Sequence, residues 1–273
     1  MIAGLLHPGE MGAALGRLLR ENGHDVVWAS DGRSSETRRR ADDAHLRDVG
    51  TAAELARASG VVLSVCPPHA AEEVAASVAG YDGIFVDANA VSPETVRAVA
   101  AAASAARFVD GGIVGSPPVA RGATRLYLSG PGAADIADLF AGTLVDARVL
   151  SDEIGAASTM KMIYAAWTKG TAALVLAIRA AARAHGLEDA LLEEWRGSLP
   201  ELLERSDAAA RSAGRKGWRW DCEMEEIAAT FAAAGLPDGF HRAAAEVFRR
   251  SPRLDDASVD EVLEALATRP ALR

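Results

Sequence analysis

Short apolar runs, rich in β-branched residues, alternate with Ala-rich amphipathic stretches through the first half of the chain, and that rhythm stops near Ser151. Residues 2–6, 25–29, 60–65, 83–87 and 107–109 read as strands buried on both faces. Residues 11–22, 36–43, 52–58, 70–78 and 93–106 read as the helices between them, with further strands at 125–128 and 146–150 on the far edge. Strand–helix alternation predicts an α/β fold, a Rossmann-type, doubly wound, mostly parallel sheet with helices on both faces. Beyond Ser151 the β-rich runs give way to long helical stretches broken at Gly186, Gly197, Pro200, Gly214, 235–237 and 251–252. The pattern therefore divides the chain into a dinucleotide-type domain at 1–150 and an all-α C-terminal domain at 151–273. Ala156–Ala184 is apolar almost all the way round, as expected of a domain axis or a subunit interface, and it predicts a homodimer.

Composition narrows the partners. The 273 residues are 49% hydrophobic, enough for a substantial core, and 25% charged, as in a folded soluble protein. Their 29 Lys and Arg against 38 Asp and Glu leave a net charge of −9, which repels nucleic acid and anionic membranes, so neither is expected as a partner. The basic run Arg38–Arg40 reads as a solvated helix face. Lys, Arg and Gly interrupt every long apolar stretch, and Met1 leads straight into a strand pattern, so no transmembrane helix or signal peptide is expected. Cys66 and Cys222, far apart and without a His/Cys/Asp/Glu cluster, point to a reducing cytoplasm and metal-independent chemistry.

The first strand-to-helix junction carries the clearest chemistry. In Gly4-Leu5-Leu6-His7-Pro8-Gly9-Glu10-Met11-Gly12, Gly9 and Gly12 fill the second and third positions of a dinucleotide fingerprint, and His7 stands in the first. His7, Pro8, Gly9, Glu10 and Met11 thus line a phosphate turn, where free N–H groups and the helix dipole favour an anion. At the end of the second strand an NAD site carries an acid for the ribose 2′-hydroxyl. Here that position falls on Ser30, with Arg33 and Ser34 just beyond, a combination that favours the 2′-phosphate of NADP; Asp31, one residue along, is the NAD-like alternative.

Four segments in order resemble the β-hydroxyacid dehydrogenase superfamily, which includes 6-phosphogluconate dehydrogenases and imine reductases. They are Gly4 to Gly12, Ser64-Val65-Cys66-Pro67-Pro68, Asp87-Ala88-Asn89-Ala90-Val91-Ser92-Pro93, and Gly155 to Lys161. The C-terminal stretches Trp218 to Glu226 and Gly235 to Phe240 resemble uncharacterised phosphogluconate-dehydrogenase-like proteins. The resemblance implies that Cys66, Pro67 and Asn89 contact the cofactor, that Ser92 lies on the nicotinamide and ribose side, and that Lys161 transfers a proton during hydride transfer. A Lys in an otherwise apolar helical stretch suits that role, because burial disfavours its charged form.

Two departures bear on substrate. Val114 stands where the family's substrate segment has Ser, leaving the backbone of Gly115 and Ser116 to hold an anion, and Ala165 replaces the Asn that follows the Lys by one turn. Tyr164 is a candidate to take over that Asn's role, Thr168 and Thr171 continue its helical face, and Lys169 is a weaker candidate. Trp220, Asp221, Glu225 and His241 are further candidates for facing a substrate. The leading expectation is an NADP(H)-dependent dehydrogenase or reductase acting on a small hydroxyacid, semialdehyde, ketone or imine. The alternative is an NADPH-binding protein without turnover, a sensor or assembly partner.

Overall fold

The computed structural model describes residues 1–268. The chain divides into two compact units, Met1–Met162 and a second running from Ile163 onward.

The first unit holds an eight-stranded sheet: β1 (Ile2–Leu5), β2 (Asp25–Trp28), β3 (Arg47–Asp48), β4 (Val61–Ser64), β5 (Ile84–Asp87), β6 (Arg107–Val114), β7 (Thr124–Ser129) and β8 (Val145–Ser151). Its order is β3-β2-β1-β4-β5-β6-β7-β8. Every neighbouring pair is parallel except β6 with β7, which is antiparallel. The expected doubly wound sheet is present. Helices α1 (Glu10–Glu21), α2 (Ser35–Asp43) and α6 (Ala133–Leu139) cover one face, where Leu15, Leu18, Leu19, Ala41 and Ile136 pack against Leu5, Trp28 and Leu63. Helices α3 (Ala52–Ala58), α4 (Ala71–Ala76) and α5 (Pro93–Ala103) cover the other, with Leu55, Val74, Val96 and Val99 against Val27, Val62 and Phe85. Strands enclosed on both sides have no polar face to show, which is why their sequences read as continuous apolar runs.

Two elements escape the hydrophobic pattern. β3 is two exposed residues, too short for periodicity to register, and α6 lies in a stretch that carries no strong start signal beyond Gly132. One boundary is corrected. β6 was expected to end at 109, but it continues to Val114, so Gly111, Gly112, Ile113 and Val114 belong to a strand rather than a loop. Glycine's poor strand propensity hides the continuation. Both glycines serve close packing: a Cβ on Gly112 would lie 2.6 Å from the Ala157 carbonyl oxygen, and one on Gly111 would lie 3.0 Å from that of Asp87.

Helix α7 (Ala156–Ala184) begins in the first unit and continues into the second, where α8 (Glu188–Ser198), α9 (Glu201–Ala233), α10 (Gly239–Arg250) and α11 (Val259–Ala267) follow, the all-helical architecture expected. The second unit is clamped by a buried guanidinium. Arg179 on α7 donates to Glu188 on α8 (2.9 Å), and to Ser206 (2.9 Å) and Asp207 (2.7 Å) on α9. Arg183, one turn on, bonds Glu188 again and reaches Asp260 on α11 at 2.6 Å. Removing one partner of a buried ion pair leaves the other charge desolvated. Arg179→Met is expected to destabilise the helical unit by about 3 kcal/mol, read as a lowered urea midpoint for helix loss; an unchanged midpoint contradicts the clamp.

Candidate functional site

Four loops leave the sheet at its carboxyl edge, after β1, β2, β4 and β5, on either side of the β1–β4 junction where the strand order reverses. This is where an open α/β sheet has its natural crevice. The sequence-predicted cofactor segments there are joined in two pairs, the β1 turn with the β2 loop and the β4 loop with the β5 loop.

After β1, the turn at His7 and Pro8 delivers Gly9 as N-cap of α1, without a side chain to close the helix end. A Cβ on Gly9 would meet nothing within 4 Å, whereas one on Gly12 would stand 2.3 Å from the His7 carbonyl oxygen. So Gly12 is required for the helix to pack on the turn, and Gly9 keeps open the space in front of the free N–H groups. Glu10 and Met11 form the first turn, and Met11 packs partly against the core.

After β2, Arg33 reaches back to the first turn, its Nη1 standing 2.5 Å from His7 Nε2. Burial first, and the Arg33 charge second, push the His7 pKa down to about 4, so the imidazole is neutral and accepts from the guanidinium. Ser30 is buried; its carbonyl accepts from Arg38 at 2.7 Å, and its neighbourhood helps hold the Asp48 carboxyl below its ordinary value. Arg33 has a buried Nε–H without a partner, a donor to spare on this loop. Ser34 caps α2 by accepting from the Thr37 N–H at 3.2 Å.

After β4 and β5, a buried polar row runs across the sheet edge. The Cys66 N–H donates to Asn89 Oδ1 at 2.6 Å, and Asn89 Nδ2 donates to Ser64 Oγ (3.2 Å) and Asp87 Oδ1 (2.5 Å). Asn89 thus sets the course of the Cys66-Pro67 loop. Cys66 itself is buried enough to push its thiol up to about 12, with the Asp87 charge a lesser cause, so it is no nucleophile. Beside Asp87, at the same level of the next strand, stands Asp110. Its carboxylate accepts from Ser129 Oγ (3.0 Å), the Gly155 N–H (2.9 Å), the Ser158 N–H (3.1 Å) and Ser158 Oγ (2.7 Å). It therefore satisfies the free end of α7 from a neighbouring strand, in place of a local cap. Asp87 has no such company: Oδ2 is buried without a partner, and burial first and Asp110 second raise its pKa to about 8.

The anchoring of α7 on Asp110 places Lys161 over β6, where a Cβ on Gly112 would lie 3.0 Å from the Lys161 Cβ. Val114 is buried against Tyr127 and Ala157, so no hydroxyl is presented from that position. Gly115 has φ +119°, and Ser116, exposed like its neighbour, accepts from Thr124 Oγ1 at 2.5 Å through its carbonyl. Tyr164 and Thr168 lie in the second unit, both exposed. There Lys169 is held by Glu223 at 2.6 Å and lies over the Trp220 ring. Asp221 and Glu225 face Arg249, and His241 is buried against Phe231, so these candidates have structural partners. Asp87 and Asp110 were not singled out from sequence, although each ends a buried apolar run with an acid, a signal that was readable. Among the described residues no group of His, Cys, Asp and Glu is placed to hold a metal ion, and no helix is long and apolar enough to cross a membrane.

Comparison with known proteins decides the family. Residues 3–140 match the NAD binding domain of 6-phosphogluconate dehydrogenase. The chain belongs to that family of NAD(P)-binding oxidoreductases. Residues 182–251 match a domain of unknown function, DUF1932. An uncharacterised 28.5 kDa protein of Methanothermus fervidus is 30% identical over 234 residues, covering 83% of this chain and 90% of that protein. Among solved structures, a conserved protein of unknown function, described as similar to 3-hydroxyacid dehydrogenases, superposes with a TM-score of 0.63 at 26% identity, over 97% of this chain and 95% of that one. The 3-hydroxyisobutyrate dehydrogenase of Salmonella typhimurium shares the fold, with a TM-score of 0.69 at 16% identity over 97% and 99%.

Two tests follow from this NAD(P)-binding domain. Gly9→Val is expected to keep the ligand-free melting temperature while weakening dinucleotide binding about tenfold or more, and Gly12→Val to lower the melting temperature itself; the reverse pattern contradicts the two assigned roles. Asp87 has a folded pKa of about 8 against an ordinary 3.8, so its contribution to stability is full below 3.8 and is lost as pH rises to about 8. Asp87→Asn is expected to remove that loss, so the variant's stability relative to wild type rises between pH 4 and 8; a constant difference across that window contradicts it.

Proposed function

We propose that this protein is an NADP(H)-dependent oxidoreductase that moves a hydride between nicotinamide C4 and a carbon of a small polar substrate, a hydroxyacid, semialdehyde, ketone or imine. The observation that carries the NADP preference is Arg33, a guanidinium at the end of β2 with an unpartnered buried Nε–H, where an NAD site would have its acid. Asp31 is nearby and exposed, and raises the Arg33 pKa against a larger opposite effect of burial. The residues present suit the dinucleotide: the open space at Gly9, the free end of α1, and the Cys66-Pro67 and Asn89 loops would hold its phosphates and ribose.

The bound dinucleotide supplies or accepts the hydride. Lys161 moves the accompanying proton. In reduction its ammonium gives a proton to the carbonyl oxygen or imine nitrogen as the carbon takes the hydride; in oxidation its neutral amine takes the proton from the hydroxyl or amine. Gly115 and Ser116 are proposed to hold an anionic substrate group. Lys161→Met is expected to lower kcat by about 10²-fold or more on a substrate found by an NADPH-consumption panel, with NADPH affinity unchanged; full turnover in the variant contradicts the proton-transfer role. A second reading, an NADPH-binding protein without turnover, is favoured by the buried Val114 and by Ala165. Tight NADPH binding with no consumption across the panel would select it.

We further propose a homodimer built on the second unit. Ile163, Trp167, Leu174 and Ile178 recur at spacings of four, seven and four along α7 and are 54, 66, 45 and 40% exposed. Trp167, Leu174 and Ile178 border a cavity of about 450 Å³ walled by Trp195 and Trp220. A contiguous apolar stripe of this kind marks an interaction surface. Light scattering is expected to give a dimer for the wild type and a monomer for Trp167→Glu/Ile178→Glu; a monomeric wild type contradicts it.

A further inference from the structure

His7 stands where a dinucleotide fingerprint has its first glycine, and its backbone φ is not positive, so a side chain costs nothing there in strain. What the side chain gains is a contact across 26 residues to Arg33. Arg33 donates from Nη1, so His7 Nε2 must be the lone-pair nitrogen, and the ring proton therefore resides on Nδ1. His7 Nδ1 and Arg33 Nε are both buried and without a protein partner. Both are N–H donors. The pair thus carries two unanswered donors and one positive charge at the carboxyl edge, between the phosphate turn and the β2 loop. Unanswered buried donors are costly, and an anionic oxygen is the acceptor they fit.

Resting on the NADP(H) reading above, we infer that His7 is a specificity-determining positioning residue: it seats Arg33 so that the two side chains together grip a phosphate monoester on the adenosine ribose. A protonated His7 would repel Arg33 rather than accept from it. Burial and Arg33 hold the imidazole neutral down to about pH 4, so the arrangement persists at neutral pH. The other groups facing Arg33 are the thiol of Cys66, kept neutral by burial, and the carboxylate of Asp31.

The test uses the full chain and two probes that isolate the adenosine half, 2′,5′-ADP and 5′-AMP, with NADPH and NADH in parallel. His7→Gly restores the fingerprint residue, and His7→Gln keeps both an acceptor and a donor at the position. The expected result is that His7→Gly loses about tenfold or more in affinity for 2′,5′-ADP and NADPH, while 5′-AMP and NADH are bound as by the wild type. His7→Gln is expected to recover most of the loss. An equal loss for both probes would assign His7 a structural role and overturn the inference. An unchanged ratio in both His7 variants, with the ratio lost in Arg33→Ala, would also overturn it and leave the NADP reading standing. A wild-type ratio retained in Arg33→Ala would instead remove the NADP reading.

Discussion

The carboxylate of Asp110 is the constraint on which the carboxyl edge depends. It is fully buried on β6, and its charge is met by two N–H groups from the start of α7 together with the hydroxyls of Ser129 and Ser158. Such a carboxylate is stable only where its donors are fixed, so it holds the first turn of α7 to the sheet, and with it Lys161. The same charge makes it harder for Asp87, its neighbour on β5, to ionise. Asp87 in turn accepts from Asn89, and Asn89 accepts from the Cys66 N–H. Two neighbouring groups of polar contacts result, one tying the origin of α7 to Asp110 and one tying Asp87 and Asn89 to the loop after β4.

The two residues that depart from the family pattern lie apart from these contacts. Val114 and Ala165 are both buried apolar residues, and neither takes part in the Asp110–Asp87–Asn89 connection. Their identity can therefore change without disturbing the contacts that Asp110 and Asn89 make. A scaffold that fixes the loops rigidly is free to vary the residues that face the substrate.

The central strands of the first unit are legible because those buried on both faces leave an uninterrupted apolar signature, as in Val61–Ser64 and Ile84–Asp87. Gly9 and Gly12 were legible as a turn from their place after the first strand. What could not be read were pairings made across the chain. Arg33 meeting His7, and Ser158 meeting Asp110 over 48 residues, depend on which strands become neighbours, and periodicity carries no such information. Ser30 lies just past the end of β2, but the neighbouring β3, Arg47–Asp48, is two exposed residues that hydrophobicity cannot reveal. The second unit showed its helices plainly. Its candidate polar residues proved to be tied to one another, Lys169 to Glu223 and Glu225 to Arg249, because charged side chains on packed helices find the nearest opposite charge.

We propose that the carboxyl edge of this sheet selects a dinucleotide bearing a 2′-phosphate. Calorimetric titration of the wild-type chain with NADPH and with NADH, at equal ionic strength, tests it most directly. NADPH is expected to bind tighter by about tenfold or more; NADH bound as tightly as NADPH, or more so, would contradict that selection.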